Sequence, residues 1–105
     1  MLFYMENHLT CSLPELAGTF NLSEGYLSRY LRKETGKTFA QLLCEFRMRR
    51  AEKMLLHTDF SIEKIVETVG YTDKSRFYRN FKAMYGVSPV KYRKGRGELC
   101  QYPSN

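Results

Sequence analysis

Along most of the chain the apolar positions recur at intervals of three and four, as in Phe77, Phe81 and Met84. Such spacing lines one side of an α-helix, whereas a half-buried strand alternates at two. No segment alternates like a strand, so the pattern predicts an all-α fold of seven helices. They fall at about 2–9, 13–20, 24–35, 39–57, 62–69, 74–85 and 89–94. The starts carry N-cap residues, Ser12, Ser23, Thr38, Ser61, Asp73 and Ser88, whose side chains satisfy the first free N–H groups. Pro14 and Pro89 sit in first turns, where a missing N–H costs little. Gly36, Gly70 and Gly86 follow helix ends. Phe77, Phe81 and Met84 are expected to face a core.

The fourth helix changes its apolar side partway along. At about 100° per residue, Phe39, Leu42, Leu43 and Phe46 share one side, while Cys44, Met48, Ala51 and Leu55 share another. One core would not need that shift; a helix bridging two cores would. Arg47 lies between the two faces and reads as a partly buried arginine paired with a carboxylate rather than as an outward contact, because a buried charge needs a partner.

The same pattern occurs twice. Leu16-Ala17, Phe20 and Leu22-Ser23 are answered by Ile65-Val66, Val69 and Tyr71-Thr72, 49 positions on. After the turn the offset becomes 50: Tyr26 to Lys33 is answered by Arg76 to Ala83, and Gly36 to Phe39 by Gly86 to Pro89. Each copy is a short helix, a tight turn and a second helix with an outward arginine. That is the outline of a helix-turn-helix, whose second helix enters a DNA major groove. A linker helix of about 20 residues spans roughly 30 Å, against about 34–36 Å per turn of B-DNA, so the spacing suits two successive major grooves.

Composition narrows the partner. The 105 residues carry a net charge of +6 and an isoelectric point near 9.3, which favours a polyanion. Cys11, Cys44 and Cys100 form no metal-ligand spacing and read as reduced thiols of a cytosolic protein. No signal peptide or bilayer-length apolar run is present, and no cofactor or metal is expected.

On the third helix the outward set is Glu24, Gly25, Ser28, Arg29 and Arg32, with Tyr26 and Lys33 alongside; on the sixth it is Lys74, Ser75, Tyr78, Arg79 and Lys82. Arg29 and Arg79 hold equivalent places and suit bidentate contact with guanine or a phosphate fork. Ser28, Lys74, Ser75 and Tyr78 are placed for base edges or backbone, and Arg32, Lys33 and Lys82 for phosphate. One basic stripe could be an ordinary solvated face; its recurrence in register argues otherwise. His8 and His57 have no ligand or triad partner in the sequence, and no nucleophile–base or carboxylate pair points to an enzyme. A module binding RNA, membrane or an acidic protein fits less well: sequence-specific RNA readers tend to use aromatic sheets, and membrane helices show one continuous amphipathic stripe.

The stretch Val69-Gly70-Tyr71-Thr72-Asp73-Lys74-Ser75-Arg76-Phe77-Tyr78-Arg79-Asn80-Phe81-Lys82, followed by Gly86-Val87-Ser88-Pro89-Val90-Lys91-Tyr92-Arg93, resembles the signature of the second helix-turn-helix of the AraC/XylS family. Leu27 to Gly36 and Arg47 to Leu56 resemble the matching first-half and linker segments. The resemblance covers about residues 2–93 and implies a two-lobed, homeodomain-like helical domain that binds double-stranded DNA in bacterial transcription regulation. It also implies activation through RNA polymerase. Val66 stands where the family favours Ala, Tyr71 where Phe is usual, and Gly25 where a larger contacting side chain is common. The expected organisation is a first helix-turn-helix at 1–36, a linker helix at 37–58, a second helix-turn-helix at 59–94 and a flexible tail at 95–105. The abrupt start, close to the first helix, suits a fragment of a larger regulator, with any dimerisation through a domain this chain lacks.

Overall fold

A computed structural model describes residues 2–95 of the chain. Apart from Gly95, the expected tail, Cys100 included, lies outside the described residues. Among the described residues there are seven α-helices and no strand: α1 (Leu2–Asn7), α2 (Leu13–Thr19), α3 (Glu24–Thr35), α4 (Phe39–His57), α5 (Ile62–Thr68), α6 (Lys74–Tyr85) and α7 (Pro89–Lys94).

Local chemistry sets the starts. The hydroxyls of Ser12, Ser23, Ser61 and Ser88 each accept from the backbone N–H three residues on, at 3.0 to 3.2 Å. The Asp73 carboxylate accepts from Ser75 N at 3.0 Å. At Thr38 the cap is reciprocal: Gln41 N donates to Thr38 Oγ1 at 3.1 Å, and Thr38 N donates to Gln41 Oε1 at 2.9 Å. Each such cap is worth about 1 kcal/mol against alanine.

The ends are less uniform. α3 and α6 stop at Gly36 and Gly86, with φ of 75° and 82°, a left-handed conformation that glycine takes without steric cost. α1 ends at Asn7, two residues before the expected 9. The Asn7 amide donates to the Phe3 carbonyl at 2.8 Å, and the His8 ring nitrogen meets the Tyr4 carbonyl at 2.9 Å. At the Tyr4 carbonyl a side chain thus stands where the N–H of a further helical residue would have bonded, and the His8 N–H turns to Met5 O at 3.2 Å. α2 and α5 each stop one residue before the expected end, at Thr19 and Thr68. Those threonines bond back to the carbonyls of Glu15 and Lys64 at 2.9 and 2.7 Å.

The chain divides into two compact units between Arg47 and Met48. In the first, Met5, Leu16, Ala17, Leu27 and Leu31 form an aliphatic core with Leu42, Leu43 and Phe46 of α4. In the second, Met48, Ala51, Met54 and Leu55 of α4 are buried, as are Ile65, Val66, Val69, Phe77 and Phe81. α4 therefore gives different faces to the two units, as its shifting apolar pattern predicted, although Cys44 is only half-buried. The second core is the more aromatic. Phe81 packs at 4.6 Å on Tyr85 and at 5.5 Å on Tyr92, centroid to centroid.

Two expectations, those for Met84 and Arg47, need correction or refinement. Met84 is 43% exposed and does not face the core; Tyr85, one position later and half-buried, fills that place against Phe81 and Tyr92. Phe20 is 38% exposed while its counterpart Val69 is fully buried, the Phe20 ring lying edge-on to Tyr4 at 5.9 Å. Arg47 is half-buried as expected, and its Nε donates to the backbone carbonyl of Leu9 at 2.7 Å. No helix of the described residues is long and apolar enough to cross a membrane.

Candidate nucleic-acid interface

Each unit presents its second helix by the same turn. After α2, Asn21 N donates to Gly18 O at 3.2 Å and Leu22 N to Ala17 O at 2.8 Å; after α5, Gly70 N donates to Glu67 O at 3.1 Å and Tyr71 N to Val66 O at 3.0 Å. These paired bonds define a Schellman motif, which needs a left-handed residue at its fifth position. That residue is Asn21 at φ 58° in the first unit and Gly70 at φ 97° in the second. The pattern of the sequence marked Gly70 as a stop but missed Asn21; asparagine is the other residue that tolerates this region. The extra residue of the second copy is Thr72, which falls between the end of the motif at Tyr71 and the N-cap Asp73.

From these turns α3 and α6 emerge with matching registers. Leu27 and Leu31 point into the first core, and Phe77 and Phe81 into the second. The opposite surface of α3 exposes Gly25, Tyr26, Ser28, Arg29, Arg32 and Lys33, and that of α6 exposes Lys74, Ser75, Arg79 and Lys82. Tyr78 is half-buried, its ring 6.0 Å from that of Phe77. Each helix thus carries an apolar stripe inward and a basic, hydrogen-bonding stripe outward.

The two stripes differ in detail. A Cβ added at Gly25 would lie 3.4 Å from Arg29 Nη1, so the guanidinium folds back over the space that the missing side chain leaves. Tyr26 and Tyr30 stack one turn apart, centroids 6.3 Å apart, where α6 carries Arg76 and Asn80. Asn80 instead donates to the Tyr71 hydroxyl at 3.0 Å, tying α6 to its own turn. On α6, Lys74 Nζ donates to Glu63 Oε2 of α5 at 2.8 Å. That hydrogen bond, ahead of the charge attraction, holds the Glu63 carboxyl below its ordinary range and the Lys74 ammonium above its own. Sequence reasoning missed Glu63, because a pairing across the turn leaves no helical spacing to read. Among the described residues no group of His, Cys, Asp or Glu could hold a metal ion.

Two helix pairs of this kind, each raising a basic face on its second helix, define a double helix-turn-helix DNA-binding domain. A family model described as a helix-turn-helix domain matches residues 16–95. The chain is 36% identical over 83 residues to the HTH-type transcriptional activator FapR of Escherichia coli, covering 79% of this chain and 32% of that protein. It is similar in structure to the C-terminal domain of AraT, a response regulator from Geobacillus stearothermophilus: 38% identity, 89% of this chain, 79% of that one and a TM-score of 0.82. The DNA-binding domain of the global transcriptional factor AdpA, solved with a target DNA, superposes with a TM-score of 0.85 at 25% identity, covering 93% and 91% of the two chains. The chain belongs to the AraC/XylS family of bacterial transcription regulators, as a DNA-binding domain of that family. It spans 12%, 29% and 32% of the length of the first three curated relatives it matches.

Proposed function

We propose that the outward faces of α3 and α6 are the reading surfaces of this domain, one in each of two successive major grooves of double-stranded DNA. The observation that carries this is the same exposed basic register on two helices presented by the same Schellman turn. Arg29 and Arg79 read guanine edges. Gly25, Tyr26, Ser28, Lys74, Ser75 and Tyr78 contact bases or nearby backbone, and Arg32, Lys33 and Lys82 neutralise phosphate. Residues 1–36 and 59–94 act as the two reading modules, with 37–58 linking them. The 19 residues of α4, at about 1.5 Å each, suit the advance of one helical turn. The larger protein works in the cytoplasm, without catalytic activity, as an activator acting through RNA polymerase. The activator names of relatives such as FapR support that role.

Titration against duplex DNA and single-stranded RNA over a range of salt tests the reading. Duplex binding is expected to weaken with a slope of about −0.9 in log K per log salt for each neutralised phosphate. Affinity that does not change with salt, or a preference for the RNA, would overturn it. Footprinting is expected to protect two successive grooves for each bound chain; protection of one groove alone would remove the second module from the reading.

A further inference from the structure

Lys74, Ser75 and Tyr78 line an open hollow of about 390 Å³ at the start of α6. Tyr78 follows the other two by four and three positions, so all three are neighbours on the helix surface. The hollow therefore has one wall that is a phenol ring and another that carries a hydroxyl and an ammonium. The ring is held by the core: Tyr78 is half-buried, edge-on to Phe77 at 6.0 Å. The ammonium lies 5.8 Å from the ring centroid and is held by Glu63 Oε2 at 2.8 Å. A base edge that fits must set a hydrogen-bond acceptor beside an apolar group. In the major groove only thymine does so, with O4 next to its 5-methyl group. Guanine and adenine lack the methyl, and cytosine would turn an amino donor toward a hollow bordered by the Lys74 charge. The first unit has no such hollow to offer. Glu24, Gly25 and Ser28 stand at the matching positions and supply a carboxylate, no side chain and no ring.

We propose that this hollow receives the major-groove edge of one thymine, the Tyr78 ring packing on its 5-methyl group and the Ser75 hydroxyl donating to its O4. This rests on the reading that α6 faces DNA, and it names the base that the start of α6 selects. Lys74 keeps its bond to Glu63 throughout, and its charge acts on the choice of base from where it stands. Methyl recognition of this kind belongs to the second module alone.

The test starts from a site that the full chain selects from a random duplex pool. Each thymine of that site is replaced in turn by uracil, which keeps O4 and removes only the methyl. One replacement is expected to weaken binding roughly three- to fivefold, the worth of one buried methyl group. Tyr78→Ser, which copies the residue of the first unit, should erase that loss, whereas Tyr78→Phe keeps the ring and should retain it. Ser75→Ala should leave the thymine-to-uracil ratio at that position unchanged and lower the thymine-to-cytosine ratio. Thermal melting of each variant verifies the fold. A site in which no thymine methyl matters, a methyl effect that survives Tyr78→Ser, or one that Tyr78→Phe abolishes would overturn the proposal. A thymine-to-cytosine ratio unmoved by Ser75→Ala would overturn it as well. If the unaltered chain binds no duplex, or footprinting shows protection of one groove that Tyr78→Ser and Arg79→Ala both leave unaltered, the DNA-facing reading of α6 fails instead.

Discussion

The Tyr92 hydroxyl donates to Glu52 Oε2 across 2.5 Å, while Tyr85 donates to the other oxygen of the same carboxylate at 3.3 Å. One acidic group of α4 thus gathers two phenols beneath α7. Burial first, then the bond to Glu52, pushes the Tyr92 phenol up to about 12. An unfolded tyrosine ionises near 10, so the stabilisation is complete below pH 10 and is lost as pH rises toward 12. Tyr92→Phe should cost about 1–2 kcal/mol at pH 7, with the gap closing as pH approaches 12. Urea midpoints at pH 7, 9 and 11 measure it. A gap still undiminished at pH 11 would rule out the hydroxyl as its source.

Arg93 holds the end of α4. Its guanidinium donates to the carbonyls of Met54 and Leu55 in the last turn of α4 and to those of Thr58 and Phe60 in the segment that follows. Arg93→Ala is expected to lower stability by about 2–3 kcal/mol, since hydrogen bonds from a charged donor are worth more than neutral ones. Arg93→Lys should recover little, because a single ammonium cannot reproduce the planar fork. Chemical denaturation of the three proteins decides this, and a lysine variant as stable as the parent would show that charge alone suffices.

Arg47 does the corresponding work in the first unit. Leu9, whose carbonyl it holds, lies 49 positions before Thr58, the offset that relates the two copies ahead of their turns. Arg47→Ala should lower the melting temperature by leaving that carbonyl without its charged donor. Unchanged melting with weakened DNA binding would move Arg47 from scaffold to interface.

Asn21 and Gly70 predict the same response to alanine. Both sit at positive φ, but asparagine already carries a Cβ there. Asn21→Gly should leave stability within about 0.5 kcal/mol, while Asn21→Ala and Gly70→Ala should each cost about 1–2 kcal/mol through the left-handed penalty. Thermal unfolding of the three variants is the measurement. An alanine tolerated at both positions would mean that the turn does not require the conformation.

The arginines should separate from the lysines in binding. A contact to a guanine edge is worth about 1–3 kcal/mol of discrimination, whereas a phosphate contact weakens every sequence alike. Arg29→Ala and Arg79→Ala should therefore each flatten the preference at one half-site, with Lys33→Ala and Lys82→Ala lowering affinity evenly. Affinities for the selected site and its single-base variants distinguish the two, and uniform losses from both arginine variants would make the pair anchors rather than readers.

Helix starts were legible in the sequence because a cap is local chemistry: one side chain and the N–H groups just ahead of it. The bridging role of α4 was legible too, since a change of apolar side is a property of spacing alone. What escaped was non-local. Met84 has the right spacing for burial, but what fills the core at that turn is Tyr85, placed by Tyr92 on another helix. Asn21 hides its left-handed role because asparagine is also an ordinary loop residue. At the interface, the exposed register of α3 and α6 follows from the repeat, whereas Glu63 and the folded-back guanidinium of Arg29 depend on neighbours that no periodicity encodes.

The insertion at Thr72 marks a seam. The bonds of the turn end at Tyr71, and the cap of α6 begins at Asp73, so a residue added between them breaks neither motif. The two copies have diverged in length at a joint where nothing had to be rebuilt. For protein engineering the same joint marks a place where the length of the connection can be varied without touching the residues that form the Schellman turn or the cap of α6.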